Sequence, residues 1–237
     1  MGARKWIRKL VPLYAIVAAF FIALAEAGSR TVTVMANNVP IERGVHIVID
    51  AGHGGEDGGA TSCTGVPESR LNLEIALRLD DLLHLLGYDT VMIRTSDTAV
   101  YTSGNTIAEK KISDLKHRLQ IVNQTENALL LSIHQNTFPE GKYSGAQVFY
   151  ASAPGSMELA EQMQTAFVGT INPGSNRKCK KSDGVYLMEH INCTGVLEEC
   201  GFLSNPEEEA KLRSADYQNR ICCVIASTAV QYLNRNA

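Results

Sequence analysis

The stretch Val45-His46-Ile47-Val48-Ile49-Asp50-Ala51-Gly52-His53-Gly54-Gly55 carries the two signals on which the fold turns. Val45 to Asp50 is a short apolar run, the pattern of a strand buried on both faces. It stops at a glycine-rich turn that holds a histidine. Glycines there let the backbone turn sharply and let a substrate or metal come close. The turn lacks the Lys-Ser/Thr ending of a phosphate loop and the glycine spacing of a dinucleotide turn.

Outward from this point, strand and helix patterns alternate. Leu71, Ile75, Leu79, Leu82, Leu83 and Leu86 recur at helical spacing, and Gly87 stops the run. Thr90 to Arg94 reads as a strand, and Thr95 to about Ser113 as a polar surface insertion. Leu115 to Gln124 fits a helix, and Ala128 to Ile133 a buried strand ending at His134. Strands are expected at Ala146 to Ala151, Val185 to Met188 and Gly195 to Glu198. Helices are expected at Met157 to Val168, Pro206 to Leu212 and Tyr217 to Tyr232. The pattern predicts a single α/β domain with a mostly parallel twisted sheet, helices on both faces and an N-terminal hydrophobic segment in front. Sites in such sheets form at the carboxyl edges of strands. His53 and His134 both lie just past an expected strand end.

The chain has 237 residues, 45% hydrophobic and 20% charged. No internal repeat or long disordered stretch is evident. Arg4, Lys5, Arg8 and Lys9 precede an apolar run from Val11 to Ala25, followed by Ala25-Glu26-Ala27. This reads as a signal peptide or a membrane anchor over 1–27; both argue for export. A linker over 28–44 and a catalytic domain over 45–235 follow. Loss of 1–27 removes four of 22 basic and one of 25 acidic residues, leaving a net charge of −6. That charge opposes nucleic acid and anionic lipid as partners. The six cysteines include no CxxC pair, so a thiolate zinc site is not expected; an even count in an exported chain permits disulfides, with no pairing legible.

Imidazole and carboxylate ligands suit zinc, and a catalytic zinc takes three protein ligands. His53, Glu68 and His134 make such a set. Glu68 alone would pass for a favourable charge at a helix N-terminus; its place between two strand-end histidines raises the metal reading. His46, His84 and His117 look structural, and His190 is a weaker candidate ligand. Hydrolysis needs a proton acceptor that later returns the proton. Glu198 and Glu199 both stand at a strand end. Adjacent strand residues face opposite sides, so only one can enter the site, and periodicity does not choose.

Four motifs then fall in order: Ile49 to Gly55, Glu68 with Asn72-Leu73, Ser132-Ile133-His134-Gln135-Asn136, and Glu199-Cys200-Gly201-Phe202-Leu203-Ser204-Asn205. Together they resemble the zinc-dependent N-acetylmuramoyl-L-alanine amidases with a type-3 catalytic domain, over nearly all of Val45 to Leu233. The resemblance implies one Zn2+ held by His53, Glu68 and His134, and Glu199 as the catalytic carboxylate. It implies hydrolysis of the amide between the muramic acid lactyl group and L-alanine of peptidoglycan stem peptides. Short length, the insertion after Arg94, and the stretches Ser144 to Tyr150 and Gly184 to Met188 resemble the germination-specific, spore-cortex branch. That branch implies a role on the route to muramic-δ-lactam, in the space between the membranes around the forespore. Implied partners are cortex peptidoglycan, the membrane if the N-terminal segment stays uncleaved, and an accessory protein. Gln135 and Cys200 depart from the family pattern, standing where a small residue and a threonine are usual. The stretch from Ser152 to Asp183 is too short for the self-blocking helix of some relatives. A zinc peptidase cutting within the stem peptide and a non-catalytic wall-binding domain are the competing functions.

Overall fold

The computed structural model describes residues 44–236. The expected signal peptide or anchor and nearly all of the linker lie outside the described residues. Among the described residues no helix is long and apolar enough to cross a membrane. In chain order the elements are β1 (His46–Ala51), α1 (Glu68–Leu85), β2 (Asp89–Met92), α2 (Ile107–Gln124), β3 (Ala128–Asn136), β4 (Gln147–Tyr150), α3 (Ser156–Thr170), β5 (Lys180–Lys181), α4 (Tyr186–His190), β6 (Thr194–Phe202), α5 (Pro206–Leu212) and α6 (Ala215–Arg235).

The strands form one six-stranded sheet in the order β2-β1-β3-β6-β4-β5. β1 runs parallel to β2 and β3, and β3 parallel to β6; β4 runs antiparallel to β6, and the edge strand β5 runs parallel to β4. Strand alternation splits the core into two layers. Ile47, Ile49, Leu129, Leu131, Ile133 and Val196 face α1, α3 and α6, whose Leu71, Ile75, Leu159, Phe167, Ile221 and Ile225 are fully buried against them. Val48, Leu130 and Leu197 face the other way, toward Val122 of α2 and Leu187 and Met188 of α4. The expected α/β sheet with helices on both faces is therefore what the chain forms. α3 covers the sheet through Leu159, Ala160, Met163 and Phe167.

Three local expectations change. Val185 to Met188 is not a strand: Val185 precedes the short helix α4. Four apolar residues satisfy either period, and Leu187 and Met188 bury as well from a helical turn. α2 starts at Ile107, inside the expected insertion, because Thr106 and Glu109 form a reciprocal capping box that satisfies the free N–H groups of its first turn. β3 and β6 run past the expected ends, so His134 and Glu199 lie within strands.

Candidate metal centre

The turn after β1 and the last residues of β3 bring His53, Glu68 and His134 together. One potential ligand atom from each lies within 4.8 Å of the others. His53 Nε2 is 3.4 Å from Glu68 Oε2, His134 Nδ1 is 2.9 Å from Glu68 Oε1, and the two rings meet edge to face with centroids 5.0 Å apart. Two imidazoles and a buried carboxylate at this spacing are the donor set zinc prefers. Among the described residues no other group of three acidic, histidine or cysteine side chains meets this spacing. His190 is not part of it; the exposed ring stacks on Tyr186 and its Nδ1 lies 2.8 Å from that residue's carbonyl.

The backbone is shaped to this cluster. His53 has φ 62°, a left-handed conformation that few side chains adopt. Gly52 is required because a Cβ there would sit 2.2 Å from the His134 ring. Gly59, at φ 67°, would place a Cβ 2.6 Å from both the Glu68 carboxylate and the His53 ring.

His53 and Glu68 are each held from behind. His53 Nδ1 lies 3.0 Å from Asp57 Oδ2, leaving Nε2 directed at Glu68. A carboxylate behind a ligating histidine fixes its tautomer and ring orientation. Asp57 pairs with Lys111 at 3.2 Å and Glu56 with Lys110 at 2.9 Å, tying the turn to α2. Glu68 Oε2 accepts from Ala60 N–H, and Oε1 from Gln135 N–H and Asn72 Nδ2. Asn72 accepts in turn from Gln135 Nε2 at 3.3 Å. The unusual Gln135 thus supports Glu68 from behind, and Cys200 is buried with its thiol toward the Glu198 carbonyl. Sequence reasoning singled out none of Asp57, Arg94 or Arg118 as site residues; Asp57, an acid four residues after His53 in the same turn, was the one with a readable signal.

Burial raises the Glu68 carboxyl, but hydrogen bonds and charge from His134 and His53 hold it well below the usual carboxylate range. Burial lowers His53, yet Glu68 and Asp57 outweigh it and hold the imidazole above its ordinary value.

The two adjacent glutamates separate cleanly. Glu199 registers opposite His134 and Glu198 opposite Ile133. Glu199 therefore shares the His134 face, while Glu198 is fully buried in the layer under α1, α3 and α6, both of its oxygens unpartnered. Glu199 Oε2 is also buried without a partner. Burial is the main reason that its carboxyl is pushed up to about 7; Glu68 adds to the rise and the two histidines oppose it. The cluster opens onto a cleft walled by Lys111, Leu115, Val185 and Tyr186.

The family model for N-acetylmuramoyl-L-alanine amidases matches residues 47–230. The germination-specific N-acetylmuramoyl-L-alanine amidase of Bacillus subtilis is 36% identical over 188 residues, 78% of each chain. Among solved structures, the CwlD amidase from Clostridioides difficile, in complex with the GerS lipoprotein, superposes with a TM-score of 0.77 at 34% identity, covering 80% of this chain and 98% of that one. An N-acetylmuramoyl-L-alanine amidase from Clostridium difficile 630 gives 0.70 at 30% identity, covering 81% and 98%. The histidine of the glycine turn, the histidine of β3, the helix-start glutamate and the sheet that converges them thus sit in a chain that belongs to the N-acetylmuramoyl-L-alanine amidase family.

Proposed function

We propose that His53, Glu68 and His134 hold one zinc ion and that Glu199 moves the proton in muramoyl-L-alanine amide hydrolysis, with spore-cortex peptidoglycan as substrate. The observation that carries this reading is the convergence of three potential ligand atoms within 4.8 Å, with Glu199 registered opposite His134. When bound, zinc supplies Lewis acidity toward the amide carbonyl and acidifies water. Glu199 takes a proton from the attacking water and returns it to the departing nitrogen of L-alanine. The C–O bond forms first as water adds to the carbonyl carbon; the C–N bond then breaks, leaving a lactyl carboxylate and the peptide's ammonium group, which carries both protons of the water. A carboxyl near 7 can both accept and return a proton at neutral pH. The cleft beside His53 and His134 is where the glycan and stem peptide would lie.

The N-terminal segment would deliver the domain across the membrane, as a cleaved signal or a retained anchor. An accessory protein fits this reading, since the CwlD amidase from C. difficile was solved with a lipoprotein.

The test digests purified cortex peptidoglycan with the full chain and reads the products by mass spectrometry. Release of intact stem peptides beginning with L-alanine is expected; cleavage inside the peptide would mark a peptidase instead. Metal analysis runs beside it. Full zinc content in His134→Ala would sink the ligand assignment.

A further inference from the structure

We propose that Arg118, with Arg94 beside it, is a positioning residue that sets how tightly the centre holds zinc. The inference rests on His53 being a zinc ligand. Both guanidinium groups are buried, Arg118 at 2% and Arg94 at 3% exposure, yet neither touches the three candidate ligand side chains directly. What they touch is the backbone that aims His53. The Ala51 carbonyl accepts from Arg94 Nε at 2.8 Å and from Arg118 Nη1 at 3.0 Å. The Gly52 carbonyl accepts from Arg94 Nη2 at 3.1 Å. The His53 carbonyl accepts from Arg118 Nη2 at 2.7 Å. Three consecutive carbonyls, ending at the residue with the left-handed φ, are thus gripped by two rigid planar groups.

Arg118 also connects the two histidine-bearing segments. Its Nη1 pairs with Asp50, which accepts from the Ser132 hydroxyl at 2.7 Å. Ser132 stands two residues before His134 on β3. Asp114, one turn back on α2, accepts a hydrogen bond from Nε. All three guanidinium nitrogens are occupied, which is why arginine is needed: an ammonium is a point donor and cannot reach Asp114, Asp50 and the His53 carbonyl at once. Without the grip, His53 would have to be ordered when the metal arrives, and that ordering subtracts from affinity. A merely structural buried ion pair would support the fold without selecting the metal.

The test measures zinc affinity of the full-length apo-protein by competition with a chromophoric chelator, beside thermal midpoints. Arg118→Lys is compared with Gln164→Ala, which removes buried hydrogen bonds to Val148 of β4 and to Ala146 just before it. Arg118→Lys should weaken zinc binding about 10- to 100-fold, the usual range for residues behind a ligand. Gln164→Ala should lose thermal stability while keeping wild-type affinity. Wild-type affinity in Arg118→Lys overturns the proposal, as does an equal loss in both variants. If Arg118→Lys does not fold, Arg94→Lys carries the same comparison through the Ala51 and Gly52 carbonyls. Wild-type affinity in His53→Ala would instead overturn the metal reading itself, and so separates the two failures.

Discussion

Two neighbouring carboxyls, Glu198 and Glu199, meet opposite fates because they point to opposite faces of β6. Glu199→Gln keeps the shape but cannot carry the proton, so amidase turnover should fall by about 10²- to 10⁴-fold with zinc content unchanged, read by product release and metal analysis together. Glu198 has no such use. Burial holds its carboxyl well above the usual range. The folded protein therefore keeps a proton that the unfolded chain releases, so stability falls as pH rises above the ordinary carboxylate range. Glu198→Met, similar in volume and apolar, should be more stable than wild type by about 1–3 kcal/mol, with a larger gain at pH 8 than at pH 5 in urea unfolding. A loss of stability at pH 8 would contradict this account. The sequence period could not choose between the two glutamates, since their faces follow from the register with β3. The role of Arg118 was equally hidden, because its partners are carbonyls of a turn 65 residues away in the chain.

Whole elements were legible where pattern and capping agree. The strand before Gly52, the helix from Glu68 and the helix at Pro206 stand where the sequence predicts them, since apolar periodicity and punctuation point the same way. Illegibility came where the burial pattern is weak. α2 buries only Arg118 and Val122 of its 18 residues, so its first half shows no apolar stripe. The capping box Thr106-Ile107-Ala108-Glu109 was the one signal for its true start. That start matters to the site, because Lys110 and Lys111 in the first turns pair with Glu56 and Asp57 of the His53 turn. Thr106→Ala should cost about 1 kcal/mol in urea unfolding. The cost should shrink when Glu109 is already replaced by alanine, because the two residues cap each other.

At the scale of the whole molecule, the centre joins the glycine turn, the start of α1 and the end of β3, so a metal bound there would be thermodynamically linked to the fold. The fold does not depend on the metal outright. A two-layer apolar core supports the sheet, and Glu68 is already paired with both histidines. Chelated protein should therefore keep its far-UV circular dichroism and unfold in one cooperative transition. Free zinc at about 100 times its dissociation constant should add about 2.7 kcal/mol. For a domain of this size that is a rise of roughly 5–10 °C in Tm. The gain should fade on acidification. Zinc takes neutral imidazole, and the raised value of His53 means protons begin to compete at a higher pH than for a free histidine. Thermal scans with zinc and with chelator across pH 5–8 check both points, and a zinc-independent midpoint at pH 8 would show that these three side chains do not bind the ion in the folded state.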